Sequence, residues 1–301
     1  MKSSRRVAFA ALIALALPAL AACGSTPGSG SGPIQVVAGE NFWGDIVSQI
    51  GGSHVAVTSV ISNPEDDPHE YESSSRNAIA VATSRLVVEN GLGYDDFMGK
   101  LVDSSGAHPT VLDVADVLGV SGQDPNPHLW YDTAALPEVA AAIAADLGEI
   151  DPAHKALYEK NARSFDASLQ PLLDVIAQIK SQYAGTKVAY TERVPGYLVE
   201  AAGLQLGIPA SFTQAVEEGS DPSPRDTVAF DDAIKDRTVK VLLYNAQVTD
   251  TQTTQIKQLA TDSGVPVVGV TETMPPSYQH IQDWQLAQAR SLLDALQKAK
   301  G

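Results

Sequence analysis

The sequence predicts an α/β protein of two lobes, each with a parallel-rich β-sheet flanked by helices, joined by one long rigid helix. Short β-branched runs alternate with helical patterns, which is typical of parallel sheets whose strands are connected by helices. The alternation occurs on both sides of a long helical stretch at residues 152–183. A chain of 301 residues is also long enough for one large or two medium domains.

Seven segments carry the strand pattern, four before the long helical stretch and three after it. They lie at residues 34–39, 55–61, 85–91, 110–114, 187–191, 239–245 and 266–271. Each is a short apolar run rich in β-branched residues, as expected for a strand buried on both faces of a sheet. We therefore predict a first lobe over residues 33–150 and a second over residues 185–301.

The middle of the chain predicts a connecting helix over residues 151–184. Asp151 followed by Pro152 is a helix start signal, because proline is tolerated in the first turn. At 1.5 Å per residue the stretch would extend about 45 Å, the length of a domain. Pro171 lies inside it and is expected to kink it. A helix of this length predicts a stiff connector between the lobes.

The amino terminus predicts a secretory signal of the lipoprotein type. The basic "MKSSRR" precedes a short apolar run, and "LAAC" places small residues before Cys23. We expect a signal peptide over residues 1–22, a lipid on Cys23 and a flexible Gly/Ser-rich tether over residues 23–32. An ordinary signal peptide and an N-terminal membrane helix are the alternatives. The mature chain is thus expected at the outer face of the cytoplasmic membrane.

Composition excludes several classes of function. The net charge is −16, and removing Lys2, Arg5 and Arg6 with the signal makes it more negative still. Such a surface repels nucleic acid and anionic lipid headgroups, although plain solubility would also explain it. Cys23 is the only cysteine, so internal disulfides and cysteine-type zinc sites are excluded.

Two of the six histidines lie in related acidic settings. His69 occurs in "EDDPHEYE" and His128 in "DPNPHLWYD", each directly after a proline and close to aspartates. A metal-bound imidazole commonly gives its second N–H to a carboxylate or carbonyl, so this pattern predicts ligands. Histidines in surface turns are the alternative. The remaining four are expected at a helix surface (His280) or facing solvent (His54, His108 and His154).

Two glutamates complete the candidate set. Glu192 follows the strand "KVAYT" and Glu272 follows "PVVGVT", and His69 lies on the loop after "VAVTSVI". Ligands of open parallel sheets bind beyond the carboxyl ends of the strands, so these side chains are expected to converge. Acids favoured by a helix N-terminus are the alternative for both. Two histidines and two glutamates would suit a hard or borderline divalent ion.

The motifs together resemble a known family, the metal-binding lipoproteins of zinc and manganese ABC importers (cluster A-I solute-binding proteins). The resemblance covers nearly all of the mature chain and rests on five segments in the family's order: "DPHEYE", "LVVENGLGYDDFMGKL", "DPNPHLWYD", "VAYTERVPGYLVEAAGL" and "VVGVTETMPP". It implies two lobes joined by a long backbone helix with the metal between them. It also implies His69, His128 and Glu192 as ligands, with the fourth, carboxylate position at Glu272.

Two positions depart from the family's zinc-binding pattern. The third ligand is often histidine in zinc-binding relatives, whereas Glu192 resembles the manganese-binding branch. The fourth is commonly aspartate, one methylene shorter than Glu272. The long histidine-rich loop of some zinc binders is also missing, since only "PEDD" precedes His69. The choice between Zn²⁺ and Mn²⁺ therefore stays open.

The expected function is non-catalytic capture of Zn²⁺ or Mn²⁺ outside the membrane by a monomer. The resemblance implies delivery to a membrane permease driven by an ATPase subunit, and no Walker motif occurs in this chain. A secreted zinc hydrolase is one alternative, although the sequence lacks H-E-x-x-H. An adhesin or scaffold protein is the other. "NGLGYDD" is expected to form a glycine turn entering a helix, with Trp43 and Trp130 as packing residues.

Overall fold

Two parallel four-stranded sheets organise the chain. The computed structural model describes residues 32–63, 71, 74–247 and 250–299. The first sheet has the order β2-β1-β3-β4 and the second the order β6-β5-β7-β8, and every strand pairing is parallel. The strands are β1 (Ile34–Glu40), β2 (Val55–Ile61), β3 (Leu86–Glu89), β4 (Thr110–Asp113), β5 (Lys187–Tyr190), β6 (Gln205–Leu206), β7 (Leu242–Asn245) and β8 (Val267–Val270).

Each sheet with its helices forms one lobe, and the predicted two-lobed α/β fold is confirmed. All seven predicted strands are present, and the two sheets share one order, with the first strand of each lobe between the second and third. The sequence did not reveal β6, because two residues are too few to produce a strand pattern. β6 is an edge strand that pairs only with β5 among the described residues.

Twelve α-helices lie within the described residues. They are α1 (Asn41–Gly51), α2 (Ser75–Thr83), α3 (Asp96–Ser105), α4 (Val114–Leu118), α5 (Leu136–Ile150), α6 (Lys155–Ser168), α7 (Gln170–Tyr183), α8 (Gly196–Ala201), α9 (Ala210–Glu217), α10 (Pro224–Lys235), α11 (Thr251–Asp262) and α12 (Ile281–Ala299). Several begin at side chains that accept a hydrogen bond from the first turn, such as Ser74, Ser223 and Asp250.

The predicted connecting helix is two consecutive helices. After a 3-10 turn at Pro152–His154, α6 ends at Ser168 and α7 begins at Gln170. Leu169 between them keeps right-handed helical angles (φ −74°, ψ −15°), so the chain turns without leaving the helical region. The break lies beside Pro171 because proline has no N–H for the carbonyl four residues earlier. The expected kink is therefore present.

One apolar core spans both lobes. Trp43 and Trp130 are fully buried, as predicted, and Phe42 stacks on Trp130 at 4.2 Å between ring centroids. Trp284 of the carboxy-terminal α12 is also buried, and its ring centroid lies 6.4 Å from that of Phe42. Because a close-packed core resists deformation, this shared core favours small movements between the lobes.

No helix in the described ranges combines the length and the apolar character that crossing a bilayer requires.

Candidate metal centre

Two of the predicted site residues, Glu192 and Glu272, lie where strands of the second sheet end. A cavity of about 1050 Å³ opens between residues of both lobes, including Tyr94 and Pro127 of the first lobe and Glu192 of the second. Glu192 lies two residues beyond β5, and Glu272 lies two residues beyond β8. This is the edge at which parallel sheets bind ligands, because the connections after neighbouring strands diverge there.

Asn245 joins the two glutamates. It is the last residue of β7, which runs between β5 and β8, so its amide reaches the residues that follow both neighbours. Its Nδ2 donates to Glu192 Oε2 at 2.9 Å and to Glu272 Oε1 at 2.8 Å. The exposed fractions of Glu192 and Glu272 are 3% and 1%. A single neutral amide therefore holds two buried carboxylates side by side.

Glu272 is further positioned from two directions. The side-chain oxygen of Gln247 accepts hydrogen bonds from the backbone N–H groups of Glu272 and Thr273, both at 2.8 Å. From the first lobe, the Tyr94 hydroxyl donates to Glu272 Oε2 at 3.2 Å. Burial, followed by the negative charge of Glu272, raises the pKa of Tyr94 well above its usual value, so the phenol keeps its proton. Tyr94 thus connects the lobes as a hydrogen-bond donor.

His128 is fully buried and its tautomer is set by Asn126. His128 Nδ1 lies 2.7 Å from Asn126 Oδ1. The Asn126 amide is oriented by its other end, because Nδ2 donates to the backbone oxygen of Arg193 at 3.0 Å. An acceptor at Nδ1 places the proton there, so the neutral ring carries its lone pair on Nε2. That is the form in which imidazole binds a metal.

Three of the four predicted ligands belong to one connected network. Glu192 and Glu272 share Asn245, and Glu272 accepts from Tyr94. The ring centroid of Tyr94 lies 5.8 Å from that of His128. His69 and Cys23 lie outside the described residues. The role of the four side chains as metal ligands stays a prediction.

Glu40 was missed by the sequence reasoning. It ends β1, and the rule that found Glu192 and Glu272 would have found it too, since all three acids end or follow a strand. Its carboxylate is fully buried, and no other described residue forms a hydrogen bond with it. Burial, with added repulsion from Asp95 and Glu89, raises the pKa of Glu40 well above its usual value.

Arg193 was also missed, and it fastens the His128 loop to the second lobe. Its guanidinium donates to Glu217 from Nε at 3.0 Å and from Nη2 at 2.8 Å, and Nη1 reaches Asp124 Oδ1 at 3.0 Å. Asp124 and Asn126 both belong to the segment that leads to His128. No signal in the sequence pairs Arg193 with residues so distant along the chain.

The other histidine predictions have mixed outcomes. His108 is exposed, as expected. His280 directly precedes α12, and its Nδ1 lies 3.0 Å from Asp45 Oδ1. The solvent-facing prediction for His54 and His154 holds in part: both are half-buried with ring centroids 3.8 Å apart, and 42% of the His154 side chain is exposed. The tertiary fold brings these two turns together, which sequence spacing does not show.

The "NGLGYDD" segment forms the predicted turn. Gly91, Leu92 and Gly93 have φ values of 79°, 58° and 79°, and α3 begins at Asp96. Glycine is favoured at position 91 for a second reason, since an added Cβ would collide with the Asp113 carboxylate. The turn places Tyr94 in the lining of the cleft.

Comparisons with known proteins agree with this arrangement. The chain is 25% identical over 281 residues to the metal ABC transporter substrate-binding lipoprotein ScbA of Streptococcus cristatus, covering 87% of this chain and 88% of the relative. It is 26% identical over 278 residues to the manganese-binding lipoprotein MntA of Halalkalibacterium halodurans, covering 88% of each. A solved structure of the laminin-binding adhesin Lmb from Streptococcus agalactiae superimposes with a TM-score of 0.74 at 22% identity, covering 87% of this chain and 99% of that one.

Two parallel sheets with buried polar residues at their facing strand ends define a two-lobed solute-binding protein. The chain belongs to the family described as zinc-uptake complex component A, periplasmic, whose family model matches residues 36–295.

Proposed function

We propose that this chain is an extracytoplasmic solute-binding protein that captures Zn²⁺ or Mn²⁺ between its lobes for import by an ABC transporter. The observation that carries the proposal is the pair of buried carboxylates, Glu192 and Glu272, held by the single amide of Asn245. Two carboxylates in a buried site repel each other and lose hydration. A divalent cation between them removes both costs, so the arrangement favours a cation as ligand.

The proposed ligands are His69, His128, Glu192 and Glu272. Two neutral imidazoles and two carboxylates would neutralise a dication, and four protein ligands would close its coordination shell. The tautomer of His128 suits this role, because its Nδ1 faces Asn126. A closed shell leaves no position for a reacting water, which supports capture and opposes hydrolysis. We therefore propose a non-enzymatic role.

Both Zn²⁺ and Mn²⁺ fit the proposed donor set. Carboxylates favour the harder Mn²⁺, whereas zinc binds mixed nitrogen and oxygen sites more tightly than manganese in general. The family description refers to zinc, and the Halalkalibacterium halodurans relative is named for manganese. Measured affinity is thus expected to favour zinc even where the ion available for transport is manganese.

The proposal includes the partners and location that the sequence predicts. A permease and its ATPase subunit would take the ion from the protein, since this chain carries no Walker motif. Removal of residues 1–22 and lipidation of Cys23 would anchor a monomer to the outer face of the cytoplasmic membrane through the tether at residues 23–32. Globomycin-sensitive processing and the mass of the mature protein would test the anchor.

Elemental analysis and competitive titration of the full chain test the function. Wild type would be compared with His69→Ala and Glu192→Ala, with Glu149→Ala as an exposed glutamate control. We expect one tightly held Zn²⁺ or Mn²⁺ in wild type and the control, and its loss in both site variants. Absence of bound metal from wild type, or its retention in both site variants, would contradict the proposal.

A further inference from the structure

A second group of metal-ligating side chains lies away from the cleft. His54 ends the 3-10 turn Gly52–His54 and directly precedes β2. It therefore stands at the amino end of its strand, whereas the cleft residues follow the carboxyl ends of theirs. His154 ends a second 3-10 turn, Pro152–His154, directly before α6. The two turns are about a hundred positions apart in the sequence, and the fold places them side by side.

His54, Asp151 and His154 have the geometry of a three-donor cluster. One potential ligand atom from each lies within 4.8 Å of those of the other two. The imidazole rings of His54 and His154 have centroids 3.8 Å apart and planes 33° apart. His154 Nδ1 lies 2.6 Å from Asp151 Oδ2. All three residues are half-buried, so each keeps contact with solvent through which an ion could enter.

The carboxylate of this cluster is held in place. The Tyr158 hydroxyl donates to Asp151 Oδ2 at 2.9 Å, and Tyr158 itself is buried in the core. A carboxylate fixed by such a hydrogen bond loses little freedom when it binds an ion or orients a ligating imidazole. Two imidazoles this close together repel each other when both are protonated, whereas a metal ion binds both in the neutral form. Packing alone explains the ring contact but not the anchored carboxylate beside it.

We propose that His54, Asp151 and His154 form a second site for a divalent cation of the Zn²⁺ class, with water completing the coordination. Zinc accepts two imidazoles and one carboxylate at about 2.0–2.2 Å, so its ligand atoms stand roughly 3.3 Å apart. Rotation of half-exposed side chains is enough to bring the observed donors to that spacing. Asp151 either binds the ion directly or accepts the Nδ1 proton of His154 while Nε2 binds.

The two sites differ in ion preference because their donors differ. The second site offers two imidazoles and one carboxylate, which favours Zn²⁺, Co²⁺, Ni²⁺ or Cu²⁺ over Mn²⁺. The cleft offers at least two carboxylates, Glu192 and Glu272, in the proposed ligand set. Mn²⁺ should therefore bind only in the cleft, whereas Zn²⁺ should bind at both places.

An occupied second site would also stabilise the first lobe. It would tie the end of α1 and the start of β2 to the start of α6. A ligand that binds only the folded state raises stability by mass action, so Zn²⁺ should raise the melting temperature beyond the effect of filling the cleft. The inference does not depend on the proposed function, because none of its residues takes part in the cleft.

Calorimetric titration of the full chain with Zn²⁺ alone tests the second site. The variants are His54→Ala, His154→Ala and Asp151→Asn, with His108→Ala as an exposed histidine control and Glu192→Ala as a cleft control. We expect His54→Ala and His154→Ala each to lose one equivalent that His108→Ala and Glu192→Ala retain. Asp151→Asn should weaken this equivalent about 10- to 100-fold, the range for losing a carboxylate that orients a ligating imidazole.

A measurement on wild type guards against misfolded variants. Addition of diamagnetic Zn²⁺ should shift the ring proton NMR signals of His54 and His154 in wild type and in Glu192→Ala. Unchanged zinc stoichiometry in His54→Ala and His154→Ala, or Zn²⁺-insensitive ring signals, would overturn the inference. If wild type binds one zinc that disappears in His54→Ala but not in Glu192→Ala, the second site stands and the proposed cleft function fails.

Discussion

Asn245 Nδ2 lies 2.8 Å from Glu272 Oε1, and both residues are almost completely buried at the carboxyl end of the second sheet. The second hydrogen of the same amide goes to Glu192 at 2.9 Å. A neutral donor thus does part of what a cation would do, holding the carboxylates together without cancelling their charge. Under the proposed function the carboxylates are held in position before a cation binds, which reduces the cost of ordering on binding.

Replacing Asn245 should weaken metal binding. Asn245→Ala removes the donor that orients both Glu192 and Glu272, and losing such an outer partner costs about 10- to 100-fold in metal affinity. Competition titration with a zinc chelator measures the change. Gln258→Ala, which removes an exposed side-chain amide from α11, should leave the affinity unchanged. Equal affinities of Asn245→Ala and wild type would show that the amide does not organise the site.

The fold could be predicted to a large extent because its signals are local. Each long strand is a compact β-branched run, and the start of the middle helical region is marked by Asp151 and Pro152. β6 was not predicted because two residues form no recognisable strand pattern, and its position depends on pairing with β5. The position of the helix break at Leu169 could be predicted only approximately. Pro171 predicts a disturbance in the preceding helical turn, but it does not determine the residue at which the helix breaks.

Site residues could be predicted where they directly follow a strand. They could not be predicted where they act through contacts between distant parts of the chain. Glu192 and Glu272 follow strands, and the structure links them through Asn245. Asn245 itself ends a predicted strand, but amides at strand ends are common and nothing local marks this one. Tyr94 and Arg193 act on residues of the opposite lobe, so only the tertiary structure reveals them.

Tyr94→Phe should loosen the connection between the lobes at the metal centre. The variant keeps the ring, whose centroid lies 4.9 Å from that of Trp130, and removes the hydroxyl that donates to Glu272. A hydrogen bond to a charged group contributes about 1.5–3 kcal/mol, so we expect roughly tenfold or greater loss of metal affinity. Tyr278→Phe, at a half-buried tyrosine before α12, is the matched control for loss of a phenol. A metal affinity unaffected by Tyr94→Phe would mean that the Tyr94 hydroxyl does not position Glu272.

Glu40→Gln should stabilise the metal-free protein, with an effect that grows with pH. Burial, then Asp95 and Glu89, raises the pKa of Glu40 in the folded state. A carboxylate whose folded pKa is raised costs no stability below the unfolded pKa of about 4.3, and the cost increases as the pH rises from there towards the folded pKa. Because glutamine does not ionise, the variant avoids this cost.

Urea unfolding of the Glu40→Gln variant and wild type, from pH 4 to pH 8 in chelator, measures the difference. We expect a gain in unfolding free energy on the order of 1–3 kcal/mol at pH 7, since each unit by which the folded pKa exceeds the unfolded one contributes about 1.4 kcal/mol, and little gain at pH 4. Glu149→Gln removes an exposed carboxylate and should show no comparable pH trend. A destabilised Glu40→Gln at every pH would reveal that the ionised carboxylate has a structural partner.

Arg193→Met should destabilise the protein most at neutral pH. The Arg193 guanidinium donates two hydrogen bonds to Glu217, whose side chain is 3% exposed, so the variant leaves a buried carboxylate without its cation. Breaking a buried pair in this way costs about 3–5 kcal/mol, and we expect the lower end because 18% of the Arg193 side chain is exposed. Lys235→Met breaks an exposed pair with Asp231 and should cost less than about 1 kcal/mol.

The loss of stability in Arg193→Met should depend on pH because the pKa of Glu217 is shifted in the folded state. Burial alone would raise the pKa of Glu217, but attraction to the protonated form of His128, together with the hydrogen bonds and charge of Arg193, outweighs it and lowers the pKa below its usual value. The stability supplied by a lowered carboxyl pKa is complete above the unfolded pKa of about 4.3 and is lost as the pH falls through the folded pKa. The gap in unfolding free energy between Arg193→Met and wild type should therefore narrow below about pH 4. A gap that stays constant down to pH 3 would show that Arg193 stabilises the lobe contact through packing and its bonds to the His128 loop, and not through the charge of Glu217.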